Sequence, residues 1–340
     1  EDRVWDVGET WTETDPLNAD TDGDTLADGA EVTAGLDPLE TDTDGDGYAD
    51  GVEGLTTDTD GDGTIDALSL DSDGDGLSDA DELAAGTNRI LADTDTDGIS
   101  DGQEVALGLN PLSTDSDSDG ILDNLEPSWN IDTDTDGLVN AADPDSDGDG
   151  ILDKTEDTDL NGRIAGDTDN DRVMDPGETW TETDPVNRDS DQDGIEDGVE
   201  DTNHDGVVDA GETDARSPDS DGDQLADGVE DADHDGKIAG DTSEDRVWDV
   251  GETWTETDPL NADTDGDTLA DGAEVAAGLD PLKGDTDGDG YADGVEGLTS
   301  DTDGDGTIDA LSLDSDGDGL SDADELAAGT NRVLADTDTD

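Results

Sequence analysis

An acidic loop of the form Asp-x-Asp-x-Asp-Gly-x-x-Asp-x-x-Glu recurs nineteen times along this chain, and it limits the possible folds more than any other feature. Asp42, Asp44, Asp46, Gly47, Asp50 and Glu53 form one full copy; Asp93, Asp95, Asp97, Gly98, Asp101 and Glu104 form another. Alternate carboxylates in one tight loop need a counter-charge at their centre. A large, hard cation supplies it, since Ca²⁺ takes six to eight oxygens and can add a backbone carbonyl at the seventh position and a bidentate Glu at the twelfth. The pattern predicts calcium as the cofactor, with about one ion or more per loop.

Charge and composition lead to the same cation. Asp and Glu number 106 against 11 Lys and Arg, a formal charge of -95 over 340 residues. Leu, Ile and Val total 56 and Phe is absent, a composition for which disorder is the default. One divalent ion per loop would add about +38 and leave roughly -57, so even a loaded chain should repel itself and stay extended and soluble. Such a surface excludes nucleic acid and anionic membrane as partners, and no apolar run is long enough to insert into a membrane. With no Cys, neither disulfides nor thiolate metal sites can staple the chain. Loops of this type in extracellular modules bind calcium at about 10⁻⁴ to 10⁻³ M, which points to a secreted or cell-surface location. Two His and no Cys leave no nucleophile and base to nominate, so an enzyme is the weakest class.

Residues 1–97 match residues 244–340 at an offset of 243, differing only at Thr33/Ala276, Glu40/Lys283, Thr41/Gly284, Thr57/Ser300 and Ile90/Val333. The domain reading is one long unit over 1–243, with sub-blocks 1–166 and 167–243, followed by the start of the next unit at 244–340. Asp171–Pro185 also repeats Asp2–Pro16. Asp2, Asp6 and Glu9 read as the end of a loop and Asp336, Asp338 and Asp340 as the start of another, as in a window on a longer array. Nested repetition implies an architecture in which each unit contacts mainly its neighbours. The expected fold is an irregular, calcium-stapled, solenoid-like rod, mostly coil with helices of one or two turns and little strand. In the linker after Glu31, Asp28 and Glu31 read as N-cap and N3 of a capping box, Gly35 as the C′ residue, and Pro38 as a stop. Apolar residues at the seventh and eighth positions (Leu26, Ile99, Ile121, Leu122, Ile151, Leu152, Val207, Val208) should pack loop on loop.

Loops of this kind followed by Gly-x-Asp-Pro linkers, as in Asp271-Gly-Ala-Glu-Val-Ala-Ala-Gly-Leu-Asp-Pro281, resemble thrombospondin type 3 repeats in their bacterial, cysteine-free form. The resemblance implies a chain wound around a row of calcium ions that stand in for a hydrophobic core. It also implies ligands at the first, third, fifth, ninth and twelfth positions. In the first part of the chain these are Asp20, Asp22, Asp24, Asp28 and Glu31; Asp42, Asp44, Asp46, Asp50 and Glu53; Asp58, Asp60, Asp62 and Asp66; and Asp71, Asp73, Asp75, Asp79 and Glu82. Then follow Asp93, Asp95, Asp97, Asp101 and Glu104; Asp115, Asp117, Asp119, Asp123 and Glu126; Asp132, Asp134, Asp136 and Asp143; and Asp145, Asp147, Asp149, Asp153 and Glu156. The middle holds Asp157, Asp159, Asn161 and Asp167; Asp169, Asp171, Asp175 and Glu178; Asp189, Asp191, Asp193, Asp197 and Glu200; and Asp201, Asn203, Asp205, Asp209 and Glu212. Beyond it come Asp219, Asp221, Asp223, Asp227 and Glu230; Asp231, Asp233, Asp235 and Asp241; and Asp245, Asp249 and Glu252. The last set is Asp263, Asp265, Asp267, Asp271 and Glu274; Asp285, Asp287, Asp289, Asp293 and Glu296; Asp301, Asp303, Asp305 and Asp309; and Asp314, Asp316, Asp318, Asp322 and Glu325.

Several copies depart from the pattern. Thr25, Gln224, Arg172 and Arg246 replace the sixth-position Gly and must make the turn with a Cβ. Ser69 and Ser312 replace the terminal Glu, which weakens those sites unless Asp71 or Asp314 reaches back. Asn140 replaces the ninth Asp, and Ala165 and Ala239 do so in loops expected to borrow Asp167 and Asp241. His204 and His234 fall between ligand positions and should face solvent, while the scattered basic residues should pair locally.

The first functional expectation is a structural protein, a calcium-stiffened rod, stalk or filament outside a microbial cell. Identical chains in a fibre are a candidate partner. The alternative is an adhesin in which the Glu-Thr-Trp-Thr-Glu-Thr block binds carbohydrate or protein. Ser or Thr at the second loop position (Thr43, Ser72, Thr94, Ser116, Ser190) either bonds its own loop or carries O-glycans.

Overall fold

The computed structural model describes residues 12–175 and 177–336; the partial loop of Asp2, Asp6 and Glu9, together with Trp5, Trp11, Asp338 and Asp340, lies outside them. Among the described residues the chain is mostly turn and coil, with ten short α-helices, three 3-10 turns and no strand. No helix among them is long and apolar enough to cross a membrane.

Most acidic loops close on themselves in one way. The N–H of the ninth residue donates to the carbonyl just before the first, as in Asp28 to Ala19 (3.0 Å), Asp50 to Thr41 (3.0 Å), Asp79 to Leu70 (2.9 Å) and Asp322 to Leu313 (3.0 Å). A helix begins at that ninth residue. The seven-residue helices are α1 (Asp28–Ala34), α3 (Asp79–Ala85), α4 (Asp101–Leu107), α8 (Asp271–Ala277) and α10 (Asp322–Ala328). The one-turn helices are α2 (Asp50–Glu53), α5 (Asp153–Glu156), α6 (Asp197–Glu200), α7 (Asp227–Glu230) and α9 (Asp293–Glu296). Each long helix stops at a left-handed glycine; Gly35, at φ 97°, returns its N–H to the Glu31 carbonyl, as the linker pattern predicts.

The capping box expected of Asp28 is not formed. Ala27 is the N-cap of α1, and the Asp28 carboxylate turns back to Thr21, whose N–H and hydroxyl it accepts at 2.8 Å each. Capping falls instead to the eighth position where it is Ser: Ser78, Ser100 and Ser321 accept from the third helical N–H, and Ser100 with Gln103 makes a full capping box.

The chain divides into two compact units, Glu1–Ser146 with Asp159–Gly162, and Asp147–Thr158 with Arg163–Asp340. In the first unit, α2 packs its Gly51 on the Asp24 carbonyl, and α4 places the Gly102 N–H 2.7 Å from Asp75 Oδ2. In the second, Gly198 donates to Asp149, Gly228 to Asp193, Gly272 to Asp223 and Gly294 to Asp267. The rule is the same each time: the fifth carboxylate of one loop meets the first helical turn of a later loop. That later loop need not be the next in sequence, because Asp46 meets Asp79 across the loop opened by Asp58.

Apolar burial follows half of the expectation. Seventh-position Ile99, Ile121, Ile151 and Ile195 are buried, but eighth-position Leu122, Leu152 and Val208 are exposed, as is seventh-position Val207. Position alone does not decide burial, since eighth-position Ile164 and Ile238 are buried and seventh-position Leu138 and Leu320 are exposed. One apolar cluster gathers Ile99, Leu109 and Ala141 with Leu107, Trp129 and Val139. Most of the buried side chains are carboxylates.

At several loops the tenth-position glycine is what lets the neighbouring backbone approach. A Cβ at Gly198 would lie 2.2 Å from the Asp149 carbonyl oxygen, and one at Gly294 2.2 Å from that of Asp267. At Gly29 a Cβ meets nothing within 4 Å among the described residues. Gly198→Ala should therefore cost about 1–3 kcal/mol in the calcium-loaded protein. Gly29→Ala should be neutral or stabilising, because Ala favours the helix. Thermal melting of the two variants checks the contrast.

Candidate metal centres

The loop opened by Asp42 shows how backbone groups aim the acids. Asp42 accepts the N–H of Gly45 on Oδ1 (2.7 Å) and of Gly47 on Oδ2 (3.0 Å). Asp44 Oδ1 accepts from Asp46 (3.2 Å), and Asp46 Oδ1 from Tyr48 (2.7 Å). Asp50 accepts the N–H of Thr43 at 2.9 Å and its hydroxyl at 2.6 Å. One oxygen each of Asp44 and Asp46 is left buried with no hydrogen bond. Asp42, Asp44 and Asp46 can bring ligand oxygens within 4.8 Å of one another, as can Asp20, Asp22 and Asp24.

A second kind of centre lies between loops. Asp24 and Glu31 of one loop converge with Asp50 of another, and Asp46 and Glu53 converge with Asp79; all six are buried. The ninth acid, expected to serve its own loop, thus faces the fifth and twelfth acids of an earlier one. Glu31, Glu104 and Glu274 are wholly buried, and neither oxygen of any of them accepts a hydrogen bond. Burying an anion without a partner is costly, and the carboxyls respond. Burial, reinforced by neighbouring Asp charges, pushes Glu31 up to about 7, Glu104 and Glu274 to about 8, and Glu200 to about 10. Donor sets made only of oxygen, convergent, buried and short of counter-charge fit a hard divalent cation of calcium's size. When bound, that ion supplies the positive charge; the chain's backbone N–H groups do the aiming.

Three devices hold the second residue of a loop. The ninth Asp is one. In the loops opened by Asp167, Asp201 and Asp241 the terminal Glu takes over: Glu178, Glu212 and Glu252 accept the N–H of Thr168, Thr202 and Thr242. The Thr168 hydroxyl leads the hydrogen bonds that hold Glu178 down to about 2, and the Asp249 N–H leads those that do the same for Glu252. In the loops that carry Ala165 and Ala239, the acid arrives from the Trp-containing block. Glu182 accepts from Thr158 (3.0 Å) and Ala165 (2.9 Å), and Glu256 from Ala232 (3.1 Å) and Ala239 (2.9 Å). Glu182 and Glu256, which the motif does not contain, thus make the loop-closing contact that the ninth acid makes elsewhere. The signal was present in the sequence, since both loops lack the ninth acid and both precede the same block at the same spacing.

The remaining departures resolve locally. Thr25, Gln224, Arg172 and Arg246 make the sixth-position turn at φ 89°, 80°, 60° and 56°. Fourth-position residues such as Thr96, Ser118 and Gln192 also have positive φ, a requirement not foreseen. Asn140 keeps the ninth-position contact to Thr133 and uses its amide to donate to the Pro127 carbonyl. Ser69 donates to the Asp71 carbonyl, so the contact runs from Ser69 to the Asp71 backbone. His204 and His234 do not simply face solvent: each Nε2 lies about 3 Å from the carbonyl of Gly198 or Gly228. The second-position hydroxyls of Ser72 and Ser190 donate to the ninth carboxylate of their own loops, and both residues are buried.

The pH response follows from the raised carboxyls. Their unfolded value is near 4.5 and their folded, metal-free values are about 7 to 10, so the folded chain holds more protons. Metal-free stability should be fully present below about pH 4.5 and be lost as pH rises through 7 to 10. A metal-free melting temperature that is flat or rises over that window contradicts this. Glu104→Gln should raise melting in chelator and lower it in calcium, a sign reversal that differential scanning calorimetry reads directly.

Segments 20–40, 42–53, 71–88, 93–114, 263–284, 285–296 and 314–331 match the family model of the bacterial thrombospondin type 3 repeat. No curated protein matches the chain. Each matched segment holds a loop whose terminal Glu is present, whereas the loops opened by Asp58 and Asp301, which end in Ser69 and Ser312, fall outside. These seven segments are bacterial thrombospondin type 3 repeats, a family whose repeats bind calcium.

Proposed function

We propose that this protein is a calcium-stiffened structural repeat, a rod, stalk or filament segment that works outside a microbial cell. The observation that carries the reading is the burial of carboxylates such as Glu31, Glu104 and Glu274 with no protein donor. These acids make order conditional on a divalent cation. At calcium ten times above Kd each site adds about 1.4 kcal/mol, so many weak sites together stabilise a long chain in millimolar calcium. The 97-residue near-copy at an offset of 243 suits a spacer, in which length matters and no position is unique.

Recognition through the Trp block has less behind it. Trp180 and Trp254 are 4% and 6% exposed, and their indole N–H groups donate to Glu178 and Glu252. Trp248 stacks on Trp254 with ring centroids 5.2 Å apart. The rings pack locally around the glutamates they help to orient.

Small-angle scattering in millimolar calcium and in chelator tests the proposal. An extended particle of constant cross-section in calcium and a swollen, featureless chain in chelator, interconverting reversibly, is the expected outcome. Superimposable curves in the two solutions would overturn it.

A further inference from the structure

The loop opened by Asp58 is inserted between two stacked loops, and its ninth residue, Asp66, brings an additional carboxylate to a junction that already holds Asp46, Glu53 and Asp79. Arg89 enters at this point. Its side chain is 12% exposed, and Nη1 lies 3.0 Å from Glu53 Oε1, 3.6 Å from Asp79 Oδ2 and 3.9 Å from Asp66 Oδ2. It also donates to Ser72 Oγ at 3.0 Å, and the guanidinium rests 4.9 Å from the centre of the Tyr48 ring. Arg332 repeats the arrangement with Glu296 (2.9 Å), Asp309 (3.7 Å), Ser315 (3.2 Å) and Tyr291. The contacts of Arg89 with Glu53 and of Arg332 with Glu296 span 36 residues in sequence, unlike the local pairs expected of the basic residues.

The uninterrupted junctions are built differently. Where Asp24, Glu31 and Asp50 meet, Glu31 accepts no hydrogen bond at either oxygen. At the arginine junction Glu53 spends Oε1 on Arg89, leaving only Oε2 for an ion. The loop opened by Asp132 differs in charge at the same position. Its ninth residue is Asn140, so it adds no charge for a cation to offset.

We propose that Arg89 and Arg332 are built-in monovalent counter-charges that hold the two branch junctions closed without calcium and make the inter-loop centres beside them the weakest in the chain. A guanidinium stays charged at any physiological pH, so its neutralising effect is permanent. It repels a second cation placed a few Å away, and it withdraws one oxygen from a glutamate that could otherwise bind in bidentate fashion. The branch points would stay ordered while the stretches between them respond to calcium.

The weak-centre half of this inference rests on the calcium reading; the chelator half does not. The test uses the full chain, the double variant Arg89→Gln/Arg332→Gln and the charge-keeping Arg89→Lys/Arg332→Lys. Amide hydrogen exchange in chelator should show Asp66 and Asp79 protected at least about tenfold more than Asp101 in the parent and in the Lys variant, with that excess lost in the Gln variant. In calcium the Gln variant should recover full protection and, by chelator competition, bind two ions about tenfold more tightly. Equal exchange of parent and Gln variant in chelator, or weaker calcium binding in the Gln variant, overturns the proposal. Failure of the parent to take up calcium would sink the proposed function and the weak-centre half, while the chelator comparison would still decide what the arginines do.

Discussion

Order in this chain depends on whether buried carboxylates find a positive charge. A conventional domain hides apolar side chains and pairs the few polar groups it buries. Here the wholly buried residues include Glu31, Glu82, Glu104 and Glu274, and the apolar cluster around Ile99 and Leu109 is small. The same acids that leave the metal-free chain strained are the ones that would hold a cation. On the proposed function, stability and ion binding are coupled through these acids.

Two levels of organisation follow. Within a loop, backbone N–H groups fix one oxygen of the third and fifth acids and free the other, so aiming is local and follows from spacing. Between loops, the fifth acid and the twelfth glutamate meet the ninth acid of a later loop, with Gly51, Gly198 or Gly294 letting the backbones approach. The first level forms turns. The second joins them, and it is there that the buried, unpartnered oxygens concentrate.

The spacing of Asp42, Asp44, Asp46, Asp50 and Glu53 was enough to read the loop, the short helix after it and the convergence of acids that fits a hard cation. The left-handed stop at Gly35 was equally legible, because helix termination is a local matter. What could not be read was which loop stacks on which. Nothing in the order of residues says that Asp46 passes over the loop at Asp58 to reach Asp79. The role of Asp28 was misread for a related reason: its carboxylate chose the hydroxyl and N–H of Thr21, seven residues back, over the helix cap. Arg89 looked like a local surface charge because the carboxylates that surround it come from three separate loops.

The central claim is that a divalent cation replaces protons and repulsion among buried acids. Calorimetric titration of calcium into chelator-stripped protein at pH 7, in two buffers of different ionisation enthalpy, measures it most directly. The account predicts saturable calcium uptake with net proton release, as raised carboxyls such as Glu104 and Glu274 are forced to ionise. Uptake without any buffer-dependent heat, or no uptake at all, would contradict it.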